Sequence, residues 1–433
     1  MSGNPDFTLK VDQNKYLPEG GRDVHAIVTV ESGGAPVGVA PSASAAEVII
    51  IDTSGSMDYP NTKMSSAIKA AQTAVDTLRD GVRFAVVSGS ARARMIFPRG
   101  EHLVTADSTT RQEAKSALAQ VRAAGGTAIG AWLELAGRLF ATHPDGIRHA
   151  ILLTDGKNQH ESPEHLDATL AACTGKFVCD CRGVGTDWEV AELRKVASTM
   201  LGSVDIVAQP SDLVADFRAM TEAAMGKAVA DVLLRVWIPQ AARLRFVKQV
   251  MPSVEDLTSM RRDAGPRAGD YPIGAWGQES RDYHICVEVP PGPVGQELRA
   301  AWVKLVLPGP DGEQVLATGN VLAEWTDDAA RSTRINPRVA HYTGQAELAD
   351  AIQEGLRARK DGDLDTATAR LGRAVALAHE SGNDAIASLL DKVVDVEDRA
   401  TGTVRLRKNV DKVDEMSLDT RSSKTVRTRK GGA

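Results

Sequence analysis

Residues 47–57, EVIIIDTSGSM, end an apolar run in a carboxylate and two hydroxyls at alternate positions, Asp52, Ser54 and Ser56. Side chains that offer oxygen and nothing softer suit a hard cation, because Mg²⁺ and Ca²⁺ are bound through oxygen. Gly55 lets the turn close tightly enough for these oxygens to converge on one point. The four residues before Asp52 are all β-branched, which suits a strand buried on both faces at the centre of a parallel sheet. Ligands of open α/β sheets sit just beyond the carboxyl ends of such strands, so the three side chains belong to the sheet's working edge.

The DxSxS spacing resembles the metal-ion-dependent adhesion site of the von Willebrand factor type A family, in its bacterial intracellular type. That family also needs a Thr in a Gly-containing loop and an Asp after a second apolar strand. The sequence carries both in order, Thr127 in AAGGTAIG and Asp155 at the end of HAILLTDG, which would complete the site. The resemblance implies that Ser54, Ser56 and Thr127 bind a divalent cation directly, while Asp52 and Asp155 act mainly through bound water. Mg²⁺ fits such a set because it keeps exchangeable waters; Mn²⁺ and Ca²⁺ are the alternatives. Neutral hydroxyls leave the cation under-neutralised, so the implied act is capture of an Asp or Glu offered by a partner protein. The implied protein is a non-enzymatic, metal-dependent interaction module or scaffold.

Composition narrows the classes further. With 433 residues, 42% hydrophobic and 25% charged, the chain has material for several globular domains. A net charge of −6 argues against general nucleic-acid binding. No apolar run reaches the length of a membrane span, and residues 1–21 lack the pattern of a secretory signal, so a cytoplasmic setting is expected. Cys173, Cys179, Cys181 and Cys286 are too few and too uneven for a disulfide framework and read as small buried hydrophobes. Hydrolysis would need a general base or a second metal beside the motif, and neither is visible. HESPEH, residues 160–165, has one residue too many between its histidines for the HExxH geometry, and Walker and GxSxG motifs are absent.

The elements that position the motif read as a multidomain α/β, β and α chain. Strand-like and helix-like segments alternate over 46–226, the signature of a doubly wound, mostly parallel, Rossmann-like sheet. Within it, Thr110 with Glu113 and Thr186 with Glu189 read as capping boxes, and Ser162 with Pro163 as a helix start. Asp187 and Trp188 fall on the same sheet edge as the motif, so flanking a ligand groove is their alternative role. Residues 6–31 and 228–326 alternate apolar and polar, which places the α/β domain as an insertion in one antiparallel β-sandwich. The stretch GGAPVGVAPSASAA reads as a connector between them. Residues 344–398 read as helices separated by GD and GN turns, resembling a tetratricopeptide-type hairpin in a small bundle.

Residues 401–433 carry nine basic and four acidic residues, few bulky apolar ones and no aromatic one, so a disordered basic tail is expected. Thr420, Thr425 and Thr428 lie among its arginines as kinase-accessible hydroxyls. A second reading follows from them, a phosphorylation-regulated signalling adaptor whose tail is read by a phosphothreonine-binding partner.

Overall fold

The computed structural model describes residues 6–33, 44–144, 146–309 and 312–427. The chain forms two units, one built on Ala35–Ala230 with Gly274–Gly277, the other on Pro5–Gly34, Asp231–Ile273 and Gln278–Ala433. The expected connector falls largely on residues 34–43, outside the described residues.

In the first unit the strand Ser44–Asp52 is central. Gly146–Thr154 pairs parallel to it on one side and Arg83–Gly89 on the other. Val178–Val184 and Val204–Val207 extend the first side, and Ala93–Phe97 closes the other edge antiparallel to Arg83–Gly89. Val48, Ile49, Ile50 and Ile51 are all 0% exposed, as expected of a strand covered on both faces. Ile49 and Ile51 join one core cluster with the apolar faces of the helices Thr62–Thr77 and Leu213–Met225. The helices Ile129–Ala141 and Pro163–Cys173 pack against each other. After Arg83–Gly89 the chain crosses to the far side of the central strand to form Gly146–Thr154. This reversal is the topological switch point, and it leaves Asp52 and Asp155 at neighbouring strand ends.

Ser162 caps its helix with Pro163 in the first turn, accepting the His165 N–H at 3.2 Å. The other two caps differ from expectation. Asp107, with a shorter and charged acceptor, makes the box with Thr110, so Glu113 is not used. Glu189 takes the N-cap position of Val190–Thr199 with no side-chain cap bond, so the box with Thr186 does not form.

The second unit is a sandwich of two sheets. One runs in the order Phe7–Gln13, Asp23–Ser32, Glu279–Glu288, Arg243–Met251 and Glu255–Asp256. The other is centred on Leu233–Trp237, Glu297–Leu307 and Gln314–Trp325. A side chain at Gly319 would meet Leu9 and Val11, so the sheets lie face to face at that point. The helices Pro337–Asp361, Leu364–Ser381 and Asp384–Val393 follow. Gly362 and Gly382 take the left-handed conformation that ends one helix, and Asp363 and Asn383 cap the next, which is what the GD and GN turns encode.

The disordered-tail expectation fails over most of its length. Val394–Asp398 pairs with Thr403–Leu406, and Lys412–Arg421 is a helix capped by Asp411. Leu418 is 0% exposed within the helical core. Beyond it, the Val254 N–H donates to Ser423 O at 2.8 Å and the Thr425 N–H to Pro252 O at 3.0 Å. Leu418 in the core, with Val404, Leu406 and Val410 packed against it, and backbone pairing hold a segment whose composition alone argues for disorder.

Candidate functional site

The turn after the central strand is built from its own backbone. The Ser54 N–H donates to Asp52 Oδ1 at 2.7 Å, and the Thr154 hydroxyl donates to Asp52 Oδ2 at 2.5 Å, tying the ends of the two neighbouring strands. The Gly55 N–H donates to Gly125 O at 2.9 Å and the Ala124 N–H to Thr53 O at 2.6 Å, which docks the glycine loop onto this turn. Thr127 is fixed from the other side. Its N–H donates to His160 Nδ1 at 3.1 Å, and its carbonyl accepts the His160 N–H at 3.0 Å. Asn158 and Glu161 cap the helix that follows, accepting the Ile129 N–H at 2.9 Å and the Gly130 N–H at 2.6 Å.

The oxygens meet in a chain. Ser54 Oγ lies 2.9 Å from Ser56 Oγ, and the Ser56 hydroxyl donates to Asp155 Oδ1 at 2.6 Å. A Cβ built at Gly156 would stand 3.2 Å from Thr127 Oγ1 and 3.5 Å from Ser56 Oγ, so the absence of a side chain there keeps open the space between those hydroxyls. The structure thus brings Ser54, Ser56, Thr127 and Asp155 around one small cradle, with Asp52 tied to it through the Ser54 N–H. Among the described residues no three His, Cys, Asp or Glu side chains gather into a metal cage. The donors gathered here are mainly hydroxyls, a set that fits a hard cation retaining some of its water.

Electrostatics sets the site apart from an ordinary turn. Asp52 is 0% exposed, and burial pushes its carboxyl up to about 6; the Ser54 and Thr154 hydrogen bonds oppose that shift, and the Asp155 charge adds to it. The Lys63 ammonium lies 2.7 Å from Asp155 Oδ2 with its side chain 8% exposed. The mouth is open, with Gly55 and Ser56 exposed and Tyr59 85% exposed three residues beyond Ser56.

Residues 46–206 match the von Willebrand factor type A domain, and residues 376–422 the von Willebrand factor type A C-terminal domain. A solved von Willebrand factor type A protein from Catenulispora acidiphila is 53% identical, superposes with a TM-score of 0.94, and matches over 98% of both chains. The chain belongs to the von Willebrand factor type A family. Such domains are typically involved in metal-dependent protein interactions. The ArnB paralog VWA2 from Sulfolobus acidocaldarius shares the fold at 13% identity, with a TM-score of 0.57 over 96% of this chain and 98% of that one. An uncharacterised protein of Synechocystis sp. is 28% identical over 223 residues, 50% of this chain and 51% of that protein. The chain therefore spans about half the length of that curated relative.

Other sequence readings are met in part in this type A protein. Trp188 is buried, its ring packed over Gly183 and its indole N–H donating to Gly185 O at 3.0 Å, so it cannot line a groove; Asp187 is exposed. All four cysteines are free and buried. Thr420 is 1% exposed and so is not the accessible hydroxyl expected; Thr425 is half-buried, its hydroxyl donating to Val250 O at 2.7 Å, and Thr428 lies outside the described residues. No helix among the described residues is long and apolar enough to cross a membrane. Lys63, Thr154 and His160 were not singled out for this site from sequence. Lys63 sits in a helical turn with no motif, and His160 stands in the sequence as half of a HESPEH stretch that fails the HExxH spacing.

Proposed function

We propose that this chain is a divalent-metal-dependent protein-binding module, in which the hydroxyls of Ser54, Ser56 and Thr127 hold the cation while Asp52 and Asp155 support it through water. Mg²⁺ is the cation that suits the donor set, with Mn²⁺ as its closest substitute. When bound, the cation supplies an open coordination position for a carboxylate of a partner protein. The observation that carries this reading is the run of hydroxyl and carboxylate oxygens from Ser54 through Ser56 to Asp155, with Thr127 across the space left open by Gly156. The protein's own work is positional. Thr154 and the Ser54 N–H hold Asp52, and His160 holds Thr127. The open side beside Ser56, with exposed Tyr59 at its rim, leaves room for a macromolecular ligand.

Affinity capture from the source organism, run in Mg²⁺ and in EDTA with wild-type and Ser54→Ala/Ser56→Ala bait, tests the reading. Partners held in Mg²⁺ by the wild type, and lost both in EDTA and with the double variant, support it. The same partners under all conditions would remove the site from the interaction.

A further inference from the structure

The cradle contains a cation of its own. Lys63, in the first turn of Thr62–Thr77, reaches into the site with only 8% of its side chain exposed. Its ammonium is 2.7 Å from Asp155 Oδ2 and 3.9 Å from Asp187 Oδ2. The other Asp155 oxygen, Oδ1, takes the Ser56 hydroxyl at 2.6 Å, so one carboxylate is shared between the lysine and the hydroxyl run. The stem passes along the backbone at Gly185, where a Cβ would stand 3.7 Å from Lys63 Cε. Lysines are rarely so buried unless paired, because an ammonium loses much hydration there.

The charges have a direct consequence. Asp52 and Asp155 are the acids of the cradle, Lys63 brings a positive charge against Asp155, the three hydroxyls are neutral, and Asp187 is left out of the count because its carboxylate is 68% exposed and screened by solvent. With both carboxylates ionised the site carries one net negative charge, not two. A divalent cation then leaves one net positive charge where a site without the lysine would be neutral. The first effect weakens attraction for a free cation, and the second strengthens attraction of the loaded site for an anion.

We propose that Lys63 is the specificity-determining residue of this site, coupling cation uptake to capture of a carboxylate so that the two ligands bind cooperatively. The inference rests on the metal-site reading above. A ligand that brings its own negative charge completes the neutralisation, so acidic protein segments are selected over neutral ones.

The test uses the full chain, Mn²⁺ and acetate. Free Mn²⁺ is counted by electron paramagnetic resonance, and acetate capture is read as the loss of water-proton relaxivity from bound Mn²⁺. Lys63→Met is expected to tighten Mn²⁺ binding by about tenfold or more and to weaken acetate capture by a similar factor. Lys63→Arg, which keeps the charge, should retain wild-type coupling. If Lys63→Met loses its near-ultraviolet circular dichroism, Lys63→Gln replaces it in the comparison. Wild type that binds Mn²⁺, with a neutral variant whose Mn²⁺ affinity is unchanged or weaker, overturns the role of Lys63 and leaves the metal site standing. Wild type that binds no Mn²⁺ overturns both.

Discussion

Replacing Asp52 by Asn should stabilise the metal-free protein, even though Asp52 is central to the proposed site. The carboxyl is fully buried, and burial raises it from an ordinary 3.8 to about 6. The sign follows from linkage. A carboxyl raised in the folded state contributes most below its unfolded value, and that contribution is lost as pH rises through the folded one. The difference between 3.8 and about 6, at 1.36 kcal/mol per pH unit, makes the ionised form cost about 3 kcal/mol at pH 8. Integrating the same two values leaves about half of that cost at pH 5 and only a small remainder at pH 4. A carboxamide at this position can keep both contacts, accepting the Ser54 N–H and donating an amide hydrogen to Thr154 Oγ1, so Asp52→Asn removes the charge with little loss of hydrogen bonding. Hydrogen exchange in EDTA, followed in peptides covering 44–52 and 146–154, measures the difference. The expected gain is about 3 kcal/mol at pH 8, shrinking to about half at pH 5. A variant that is less stable at pH 8, or a gain that does not change with pH, would show that the buried Asp52 charge does not destabilise the metal-free fold.

Other outcomes follow from buried groups elsewhere in the fold. His149 bridges Glu47 at 2.9 Å and Asp180 at 3.0 Å; burial opposes its charge, but the two carboxylates outweigh it and push it up to about 10. Its stabilising contribution is therefore complete below about 6.5 and lost as pH rises through about 10, and nitrogen-15 spectra should show an imidazolium at pH 8, whereas titration near 6.5 would contradict this. Asp282, 0% exposed, accepts from Thr29 Oγ1 at 2.6 Å, Arg338 Nη2 at 2.9 Å and the Tyr342 hydroxyl. Asp282→Ala should cost about 3 kcal/mol or more in exchange from residues 23–32 and 279–288, and a loss below about 1 would show that the network is not needed. Thr425→Val removes the hydroxyl's bond to Val250 O, and for about 1 kcal/mol trypsin should cut after Arg421 and Lys424 roughly fivefold faster; unchanged cutting would mean that the hydroxyl does not anchor the segment.

The part of the site that is local in sequence was legible there. The β-branched run before Asp52, the DxSxS spacing and the second apolar strand before Asp155 each carry strand and turn chemistry within a dozen residues. Their meeting follows from the switch-point topology that alternating elements imply. Lys63 and His160 were illegible in this role because each acts across the fold. Lys63 looks like any residue in a first helical turn until Asp155 stands 2.7 Å away, and His160 needs the Thr127 backbone beside it. The capping boxes missed where a nearer acceptor, Asp107, took the cap, or where Glu189 paired with Lys157 instead. The tail misled for a different reason. Composition registers few apolar residues, but not that Leu418 is completely buried or that Ser423 and Thr425 find backbone partners at Val254 and Pro252.

Counting Mn²⁺ bound by the full chain in electron paramagnetic resonance, with Ser56→Ala and Thr127→Ala beside the wild type, asks whether these hydroxyls hold the cation. One Mn²⁺ per wild-type chain, displaced by Mg²⁺, is expected, with at least about a tenfold loss of affinity in each variant, since each removes a proposed direct ligand. Equal Mn²⁺ binding by all three proteins would show that these hydroxyls do not hold it.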